Sequence, residues 1–455
     1  MPHTPTSHPA PVRRPALERG RSLLGPALQL IHTGRAPTRS ALTAALDVTR
    51  ATAGAVAGEL AALGLVTVDA HPVGTGRGRP SHRLGLAPDG PVVLAAQVHA
   101  DGLSVALAGL GGVLGEAVYH PLPASTGPER MLGAIAAAGA ELIRAERRRC
   151  LGAALALPNP VRQPEGTALA ALHFGWPGGT PVAELFAAAM AEQDLGPRAR
   201  RPLPTAVAND ANLAALAEHR HGAGRDARHL LLVTSGHRGV GGALVVDGRL
   251  HTGSAGLALE VGHLTVDPLG RPCPCGNRGC LNVETDPEAL LAAAGRTPDP
   301  GKPLLDQARE LARSAVARSA VGGAVSDGDA VPGGSVAGGP RGGGPAAGDA
   351  VGAGPAAGDP VARAAVDAVV DRLGLGLAGL ANILNPDRIV LSGLHQDLLA
   401  AAPQRLPEVV TGHSLWGRCD RVPVVAAQLR HAGLVGAAEL AWEPYLTDPQ
   451  EVAVQ

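Results

Sequence analysis

Residues 260–280 read Glu-Val-Gly-His-Leu-Thr-Val-Asp-Pro-Leu-Gly-Arg-Pro-Cys-Pro-Cys-Gly-Asn-Arg-Gly-Cys. Four side chains in this stretch can bind a metal: His263, Cys273, Cys275 and Cys280. One histidine and three cysteines are a common ligand set for a closed, tetrahedral structural zinc site. Three of the chain's five cysteines lie here, and Gly276 and Gly279 give the backbone the freedom to bring them together. The stretch therefore predicts one structural zinc ion; the alternative is a cysteine-rich loop with a histidine beside it by chance.

The pattern Glu-x-Gly-His followed by Cys-x-Cys-Gly-x-x-Gly-Cys resembles the signature of the ROK family of repressors, open reading frames and sugar kinases. The resemblance extends over roughly residues 90–440. It implies an α/β fold of the actin-like, two-lobed sugar-kinase type, with a sugar pocket in the cleft between the lobes. The zinc loop borders that pocket in family members.

Composition sets the limits on domain number and location. A chain of 455 residues that is 45% apolar can form two or three domains with sizeable cores. It shows neither a signal-peptide pattern nor a run of about 18 apolar residues, so we expect no membrane partner. Few cysteines, clustered at metal-ligand spacing, suit a reducing cytoplasm.

The charge is unevenly distributed. Residues 1–86 contain ten arginines and four acidic residues, a net charge of +6, whereas the whole chain carries −1. A basic end on an acidic body suggests a module that binds a polyanion. After a Pro- and Arg-rich start, the pattern predicts three helices and then two strands, which is the element order of a winged helix-turn-helix. Thr38 and Thr49 are the predicted N-caps of the second and third helices, and Gly64 ends the third. The alternative is a small helical domain with no role in DNA binding.

These patterns predict the following organisation: a disordered tail (1–20), a winged helix-turn-helix domain (21–86), a first lobe (91–205) completed by residues 425–445, and a second lobe (206–424) that contains the zinc loop (260–284) and a flexible Gly/Ala/Pro-rich insertion (321–360).

Operator DNA is the predicted partner of residues 21–86, bound by a homodimer or a higher homo-oligomer. The third helix would enter the major groove with Thr49, Arg50, Thr52 and Ala53 exposed near its start, and Arg39 nearby. Arg77 and Arg79 on the wing would enter the minor groove, whose negative potential attracts arginine.

The resemblance also implies an effector site. Asn209 and Asp210 match the family's Asn-Asp-Ala-Asn motif, in which the Asp is the general base toward a sugar hydroxyl and the Asn binds the sugar. Glu260 and His263 match a further sugar-contacting pair. Asn282 replaces the sugar-binding Glu that follows the last zinc-loop cysteine in the family. Gly236, Gly239, Gly241 and Gly242 resemble the second phosphate loop, although a plain glycine-rich turn explains them equally well.

Two departures concern the phosphate donor. Where kinases of the family carry Asp-x-Gly-x-Thr, this chain has Gln97 for the Asp and His99 for the Gly. A glutamine supplies no negative charge to a magnesium ion, and a histidine side chain blocks close backbone approach. We therefore predict a regulator, most simply a repressor of carbohydrate genes, that senses a sugar or sugar derivative and is not an enzyme, with Asp210 as a vestigial base. The alternative is an ATP-dependent, glucokinase-like sugar kinase, for which Asp210 is the best support. The sequence does not name the sugar.

Overall fold

The computed structural model describes residues 23–73, 81–169, 175–236, 239–316, 358–419 and 422–453. Within these ranges three short helices and a two-stranded sheet precede an α/β body with two five-stranded mixed sheets. Among the described residues, none of the helices has both the length and the apolar character that a membrane crossing requires. The predicted tail and residues 321–357 of the predicted insertion lie outside the described residues.

We call residues 24–86 the N-terminal module. Its elements are α1 (Leu24–His32), α2 (Arg39–Ala45), α3 (Arg50–Ala62), β1 (Val66–Val73) and β2 (Ser81–Leu86). The side chains of Thr38 and Thr49 accept hydrogen bonds from backbone N–H groups in the first turns of α2 and α3, at 3.1 and 3.2 Å, which fixes where these helices begin. Gly64, with φ of +71°, turns the chain from α3 toward β1. The strands β1 and β2 then pair in antiparallel fashion.

The first sheet of the body lies next in the chain. Its strands are β3 (Val92–His99), β4 (Gly102–Ala108), β5 (Val118–Pro121), β6 (Cys150–Leu157) and β9 (Thr205–Asn209), in the order β5-β4-β3-β6-β9. Helices α4 (Pro128–Ala145) and α5 (Val182–Ala191) pack against each other beside this sheet, and a small hairpin is formed by β7 (Val161–Arg162) and β8 (Thr167–Ala168). Every residue of β6 is buried, as expected for a central strand.

The second sheet repeats this topology. Its strands are β10 (His229–Ser235), β11 (Val240–Val246), β12 (Arg249–Leu250), β13 (Arg388–Gly393) and β14 (Val424–Ala426), in the order β12-β11-β10-β13-β14. Its helices are α7 (Leu281–Glu284), α8 (Pro287–Ala293), α9 (Leu304–Ser314), α10 (Pro360–Leu384), α11 (Leu394–Ala401), α12 (Arg405–His413) and α13 (Leu415–Cys419). Each sheet thus begins with three antiparallel strands and is completed by two parallel ones.

Two further helices connect the parts of the molecule. Helix α6 (Asp210–His221) follows β9 directly and packs against β10 and β11 of the second sheet. Helix α14 (Ala432–Thr447) packs against α6, against β3 and β6 of the first sheet, and against α1 of the N-terminal module. One apolar core therefore includes Leu24 and Leu28 of α1 together with Trp442 and Tyr445 of α14.

Three predicted boundaries differ from the structure. Residues 205 and 206, predicted to separate the lobes, both lie in β9, which pairs with β6 and extends the first sheet to Asn209. Residues 425 and 426, assigned by the prediction to the first lobe, lie in β14, which pairs with β13 of the second sheet. Residue 360, the end of the predicted insertion, begins α10, because Pro360 suits a first helical turn and the Asp359 carboxylate caps it.

Candidate functional site

A cleft of about 1350 Å³ is lined by residues from both sheets of the body. It contains all of the predicted effector residues and the predicted phosphate-motif residues that the structure describes, namely Asn209, Asp210, Glu260, His263, Asn282, Gln97, His99, Gly236, Gly239, Gly241 and Gly242. Strand ends and helix starts supply most of these side chains. Ligand sites in α/β proteins commonly occupy such a crevice at strand ends.

Asn209 and Asp210 stand at the junction of β9 and α6. The Asn209 side-chain oxygen accepts hydrogen bonds from the N–H groups of Ala211 (3.0 Å) and Asn212 (3.1 Å), so Asn209 is the N-cap of α6. This cap leaves Asp210 as the first residue of the helix, with its carboxylate lining the cleft. The local sequence thus orients a carboxylate toward the cavity through a standard helix start.

The environment of Asp210 changes its acidity. Burial raises the pKa of this carboxyl to about 6, although hydrogen bonds from the backbone N–H groups of Asp210 and Ala211 act in the opposite direction. The nearby Glu260 carboxylate adds to the increase. Burial also raises the pKa of Glu260, while His263 opposes that shift. Two neighbouring carboxyls with raised pKa values suit proton exchange with a hydroxyl or hydrogen bonding to it.

Glu260 precedes, and His263 ends, a 3-10 turn over Val261–His263 that packs against the second sheet. A Cβ atom on Gly262 would lie 2.2 Å from the backbone oxygen of Val240, so only glycine fits this contact. The turn is thereby held against the start of β11, and both Glu260 and His263 line the cleft. The glycine of the Glu-x-Gly-His pattern is therefore required here because any side chain would clash with the Val240 backbone.

The four predicted metal ligands converge. The ligand atoms of His263, Cys273, Cys275 and Cys280 all lie within 4.8 Å of one another. The His263 Nδ1 and Cys273 Sγ atoms are 3.8 Å apart, as are the Sγ atoms of Cys275 and Cys280. In a tetrahedral zinc site with Zn–S bonds of about 2.3 Å, two sulfur atoms lie about 3.8 Å apart. The donor set and its spacing therefore fit a zinc ion.

The loop around these cysteines depends on its glycines and on backbone hydrogen bonds. Gly279 has φ of +63°, and a Cβ atom there would overlap the backbone oxygen of Asp267. The Cys273 N–H donates to the Asn277 oxygen at 2.8 Å. Burial and hydrogen bonds with the other two cysteines raise the pKa of Cys280 to about 12. A bound cation would favour the thiolate instead, which is the form that binds metal.

The three residues that depart from the family's motifs contact other parts of the chain. A Cβ atom on Gly433, at the start of α14, would lie 2.6 Å from the Gln97 amide, so this side chain packs against the helix. The His99 Nε2 atom lies 2.8 Å from Ser104 Oγ. The Asn282 side-chain oxygen accepts a hydrogen bond from the Val240 N–H at 2.6 Å, so it supports the glycine-containing strand β11.

Sequence reasoning missed Asn159, which lies in the loop after β6. Its backbone oxygen accepts a hydrogen bond from the Asn209 amide at 3.1 Å, and it lines the cleft. The side chain is 1% exposed, and its amide atoms have no hydrogen-bond partner among the described residues. Asn159 follows β6, the strand that pairs with β9, and this position beside Asn209 is the feature that could have indicated a place in the cleft.

The predicted DNA-contacting residues are only partly described. Thr49 and Arg50 are exposed at the start of α3, and Thr52 and Arg39 are half-buried. Ala53, predicted to be exposed, is fully buried, because it faces the core formed with α1 and α14. Arg77 and Arg79 lie outside the described residues.

Comparison with characterised proteins shows several likenesses over the body. The chain is 30% identical to a glucokinase from Streptomyces coelicolor over 71% of this chain and 90% of that protein. It is 34% identical to a glucokinase from Halalkalibacterium halodurans, but this match spans only about half of that relative (49%). A putative xylose repressor from Caldicellulosiruptor is 28% identical over 53% of this chain and 49% of that protein.

Two solved structures share the fold. A ROK family transcriptional regulator, described as a homologue of the Escherichia coli MLC protein, matches 96% of this chain and 100% of its own, with a TM-score of 0.68 and 21% identity. A ROK hexokinase from Thermus thermophilus matches 78% of this chain and 98% of its own, with a TM-score of 0.56 and 25% identity.

These likenesses contradict the prediction that the chain is not an enzyme. The likeness to glucokinases and to a hexokinase makes sugar kinase activity a candidate function that must be tested. The prediction relied on two donor-side residues, Gln97 and His99. It gave too little weight to the other side of the cleft, where burial raises the pKa of Asp210 to about 6.

The family assignment agrees with the residues described above. The family model for the ROK family matches residues 99–322, a range that includes Asn209, Asp210 and the whole zinc loop. The S. coelicolor relative extends the likeness over most of the body. The chain belongs to the ROK family.

Proposed function

We propose that this chain is a transcriptional regulator that binds operator DNA through its N-terminal module and a sugar or sugar derivative in its cleft. The observation that carries the proposal is that one chain contains both the N-terminal module and the α/β body. The hexokinase fold matches 78% of the chain, whereas the regulator fold, which matches 96%, leaves little of it unmatched. The putative xylose repressor among the relatives is consistent with this function.

The N-terminal module supports DNA binding by its element order and its charge. Helices α2 and α3 are separated by a short turn, and an antiparallel strand pair follows, as in a winged helix-turn-helix. Arg50 is the first residue of α3 and is exposed, where it can contact a phosphate or a base edge in the major groove. Arg77 and Arg79 lie outside the described residues and stay predicted DNA contacts.

The cleft supports sugar binding by its polar groups. Asp210 and Glu260 line the cleft and offer carboxylate acceptors for the hydroxyl groups of a ligand. A zinc ion held by His263, Cys273, Cys275 and Cys280 would have four protein ligands, so its role would be to fix the loop and His263, not to activate water. A polyhydroxyl ligand needs such a set of donors and acceptors around an enclosed site.

The direct test is a binding assay with the full-length chain and the promoter region of its own operon. Fluorescence anisotropy should show saturable binding to this DNA, and one member of a sugar panel should change the affinity. Coupling of about 1–3 kcal/mol would change operator affinity several-fold to about hundredfold. If the chain does not bind this DNA at low salt, with or without each sugar, the proposed regulatory function is wrong.

Replacing Arg50 by alanine should weaken operator binding and reduce the slope of log affinity against log salt by about 1, because one phosphate contact releases about one counterion. The matched control is Arg147→Ala, which removes an exposed arginine from the body and should leave the slope unchanged. Equal slopes for wild type and both variants would exclude Arg50 from the interface.

A second candidate function, phosphorylation of the bound sugar, is favoured by Asp210. A carboxyl with a pKa of about 6 that lines the cleft is well matched to take a proton from a sugar hydroxyl near neutral pH. Coupled measurement of ADP release with ATP, magnesium and the sugar panel tests it. Sugar-dependent ADP release that disappears in Asp210→Asn would establish the activity, and background release in wild type would exclude it.

A further inference from the structure

A buried carboxylate connects the N-terminal module to the body. Glu439 of α14 is fully buried, and three side chains surround it, which together with it we call the Glu439 cluster: His32, Arg220 and His221. The His32 Nε2 atom lies 2.9 Å from Oε2 and 3.0 Å from Oε1 of Glu439. The His221 Nε2 atom lies 2.9 Å from Oε1, and Arg220 Nη1 donates to Oε2 at 2.8 Å.

A hydrogen bond from the backbone fixes the tautomer of His32. The His32 Nδ1 atom accepts a hydrogen bond from the Gly111 N–H at 2.8 Å, so the ring proton resides on Nε2 and is donated to Glu439. Burial alone would raise the pKa of Glu439, but the electrostatic interaction with His32, the hydrogen bonds from His221 and His32 and the charge of Arg220 hold it well below its ordinary value. A buried carboxylate of this kind is stable only with its partners in place.

The same geometry argues against a metal ion among His32, His221 and Glu439, although their ligand atoms are close together. A metal bound at His32 Nε2 would require the ring proton on Nδ1, where it would face the Gly111 N–H. The Arg220 guanidinium already occupies one carboxylate oxygen. The cluster is therefore a hydrogen-bonded contact between elements.

Its members come from three elements with different roles. His32 ends α1 of the N-terminal module, while Arg220 and His221 end α6, whose first residue is Asp210 in the cleft. A helix of 12 residues spans about 18 Å, so one rigid element connects the cleft to the cluster. Nearby, the Arg225 guanidinium donates to the Thr33 backbone oxygen at 2.8 Å.

We propose that the Glu439 cluster is the joint that fixes the N-terminal module on the body and transmits movement of α6 from the cleft to α1. The fixing role stands on the contacts alone, whereas the transmitting role rests on the proposed function. A ligand in the cleft shifts the module only if it binds one position of α6 more tightly than another. The cluster supplies the physical connection between the two sites that such coupling needs.

The test of fixing uses hydrogen exchange on the full-length chain. His32→Ala removes the module's hydrogen bond to Glu439 and leaves Arg220 and His221 in place, so the body should keep its fold. Losing a hydrogen bond to a charged group should speed exchange of the amides in α1 about ten- to hundredfold, with the amides of β10 and β11 unchanged. The control is Gln29→Ala, an exposed change on the same helix.

Two conservative variants separate the bonds of His32. Gln at position 32 can place its amide N–H near the position of Nε2 and donate to Glu439, so His32→Gln should restore much of the protection. His32→Asn can replace only the acceptor for Gly111 and should restore little. If the α1 amides of His32→Ala exchange as slowly as those of the wild type, the proposed fixing role is wrong. It is also wrong if His32→Asn and His32→Gln restore protection equally.

The test of transmission compares operator affinity with and without the active sugar. In His32→Ala the ratio of the two affinities should fall toward one, while calorimetry shows an unchanged affinity for the sugar. If the ratio of operator affinities with and without sugar is the same in His32→Ala as in the wild type, the proposed transmitting role is wrong. If the wild type binds no operator DNA or no sugar, the proposed function and transmission both fail, whereas faster exchange in His32→Ala still supports the fixing role.

Discussion

Replacing Cys275 by serine is expected to lower the zinc content of the purified protein from about one equivalent per chain to near zero. The serine hydroxyl is a poor zinc ligand, and Cys275 is the exposed member of the four, so its loss opens the site to solvent. Elemental analysis after dialysis against a weak chelator measures the outcome. Cys419→Ser, which removes the other exposed cysteine, is the matched control and should retain the metal.

The same substitution should also lower the melting temperature and the sugar affinity. The free energy of binding a structural zinc ion contributes directly to folding, so an ion lost is stability lost. The loop that the ion would hold carries His263, and Glu260 lies three residues before it, so the cleft should lose order with the loop. A Cys275→Ser protein with full metal content and an unchanged melting temperature would contradict the assignment.

The zinc loop and the helix caps could be predicted because their physics is local. The spacing of His263, Cys273, Cys275 and Cys280 reflects the size of one coordination sphere, and their side chains do converge. Thr49 caps α3 through a bond to a residue three positions away. The resemblance that rested on the zinc-loop pattern is confirmed, and so is the α/β fold of the sugar-kinase type.

Features that depend on distant pairings could not be predicted. His32 and Glu439 are 407 positions apart, and neither has a neighbouring signal that suggests a partner. Ala53 was placed on the wrong face of α3, because an alanine-rich helix has little contrast between its apolar and polar sides. The lobe boundary was drawn inside β9, because strand pairing and not chain order decides to which sheet a strand belongs.

The regulator and kinase functions are separated by chemistry, not by fold. Gln97 and His99 depart from the predicted donor motif, yet the S. coelicolor glucokinase is 30% identical to the chain over 71% of the chain's length. Asp210 would suit either proposed function, since a carboxylate that binds a sugar hydroxyl can also take its proton. Substitutions at Asp210 are therefore most informative when binding and turnover are measured separately.

Replacing Asp210 by asparagine should weaken sugar binding about ten- to hundredfold. A hydrogen bond to a charged group is worth about 1.5–3 kcal/mol, and the amide keeps the size of the side chain while losing the charge. The Asn209 cap of α6 is untouched, so the helix should remain in place. Isothermal titration with the active sugar measures the change, and Glu184→Gln, an exposed change in the first turn of α5, is the control.

The affinity of the wild type should also depend on pH in a defined direction. The free carboxyl has a raised pKa of about 6, and sugar hydroxyls that donate to the carboxylate would lower its pKa in the complex. The complex therefore favours the deprotonated form, so affinity rises as pH increases toward 6 and is constant above it, by up to about tenfold for each unit by which the ligand lowers the pKa. Asp210→Asn should remove the part of this dependence that Asp210 contributes and leave the part that comes from Glu260, whose pKa is also raised. A wild-type affinity that falls as pH increases from 5 to 7 would mean that the protonated acid binds the ligand, and Asp210 would then act as a donor.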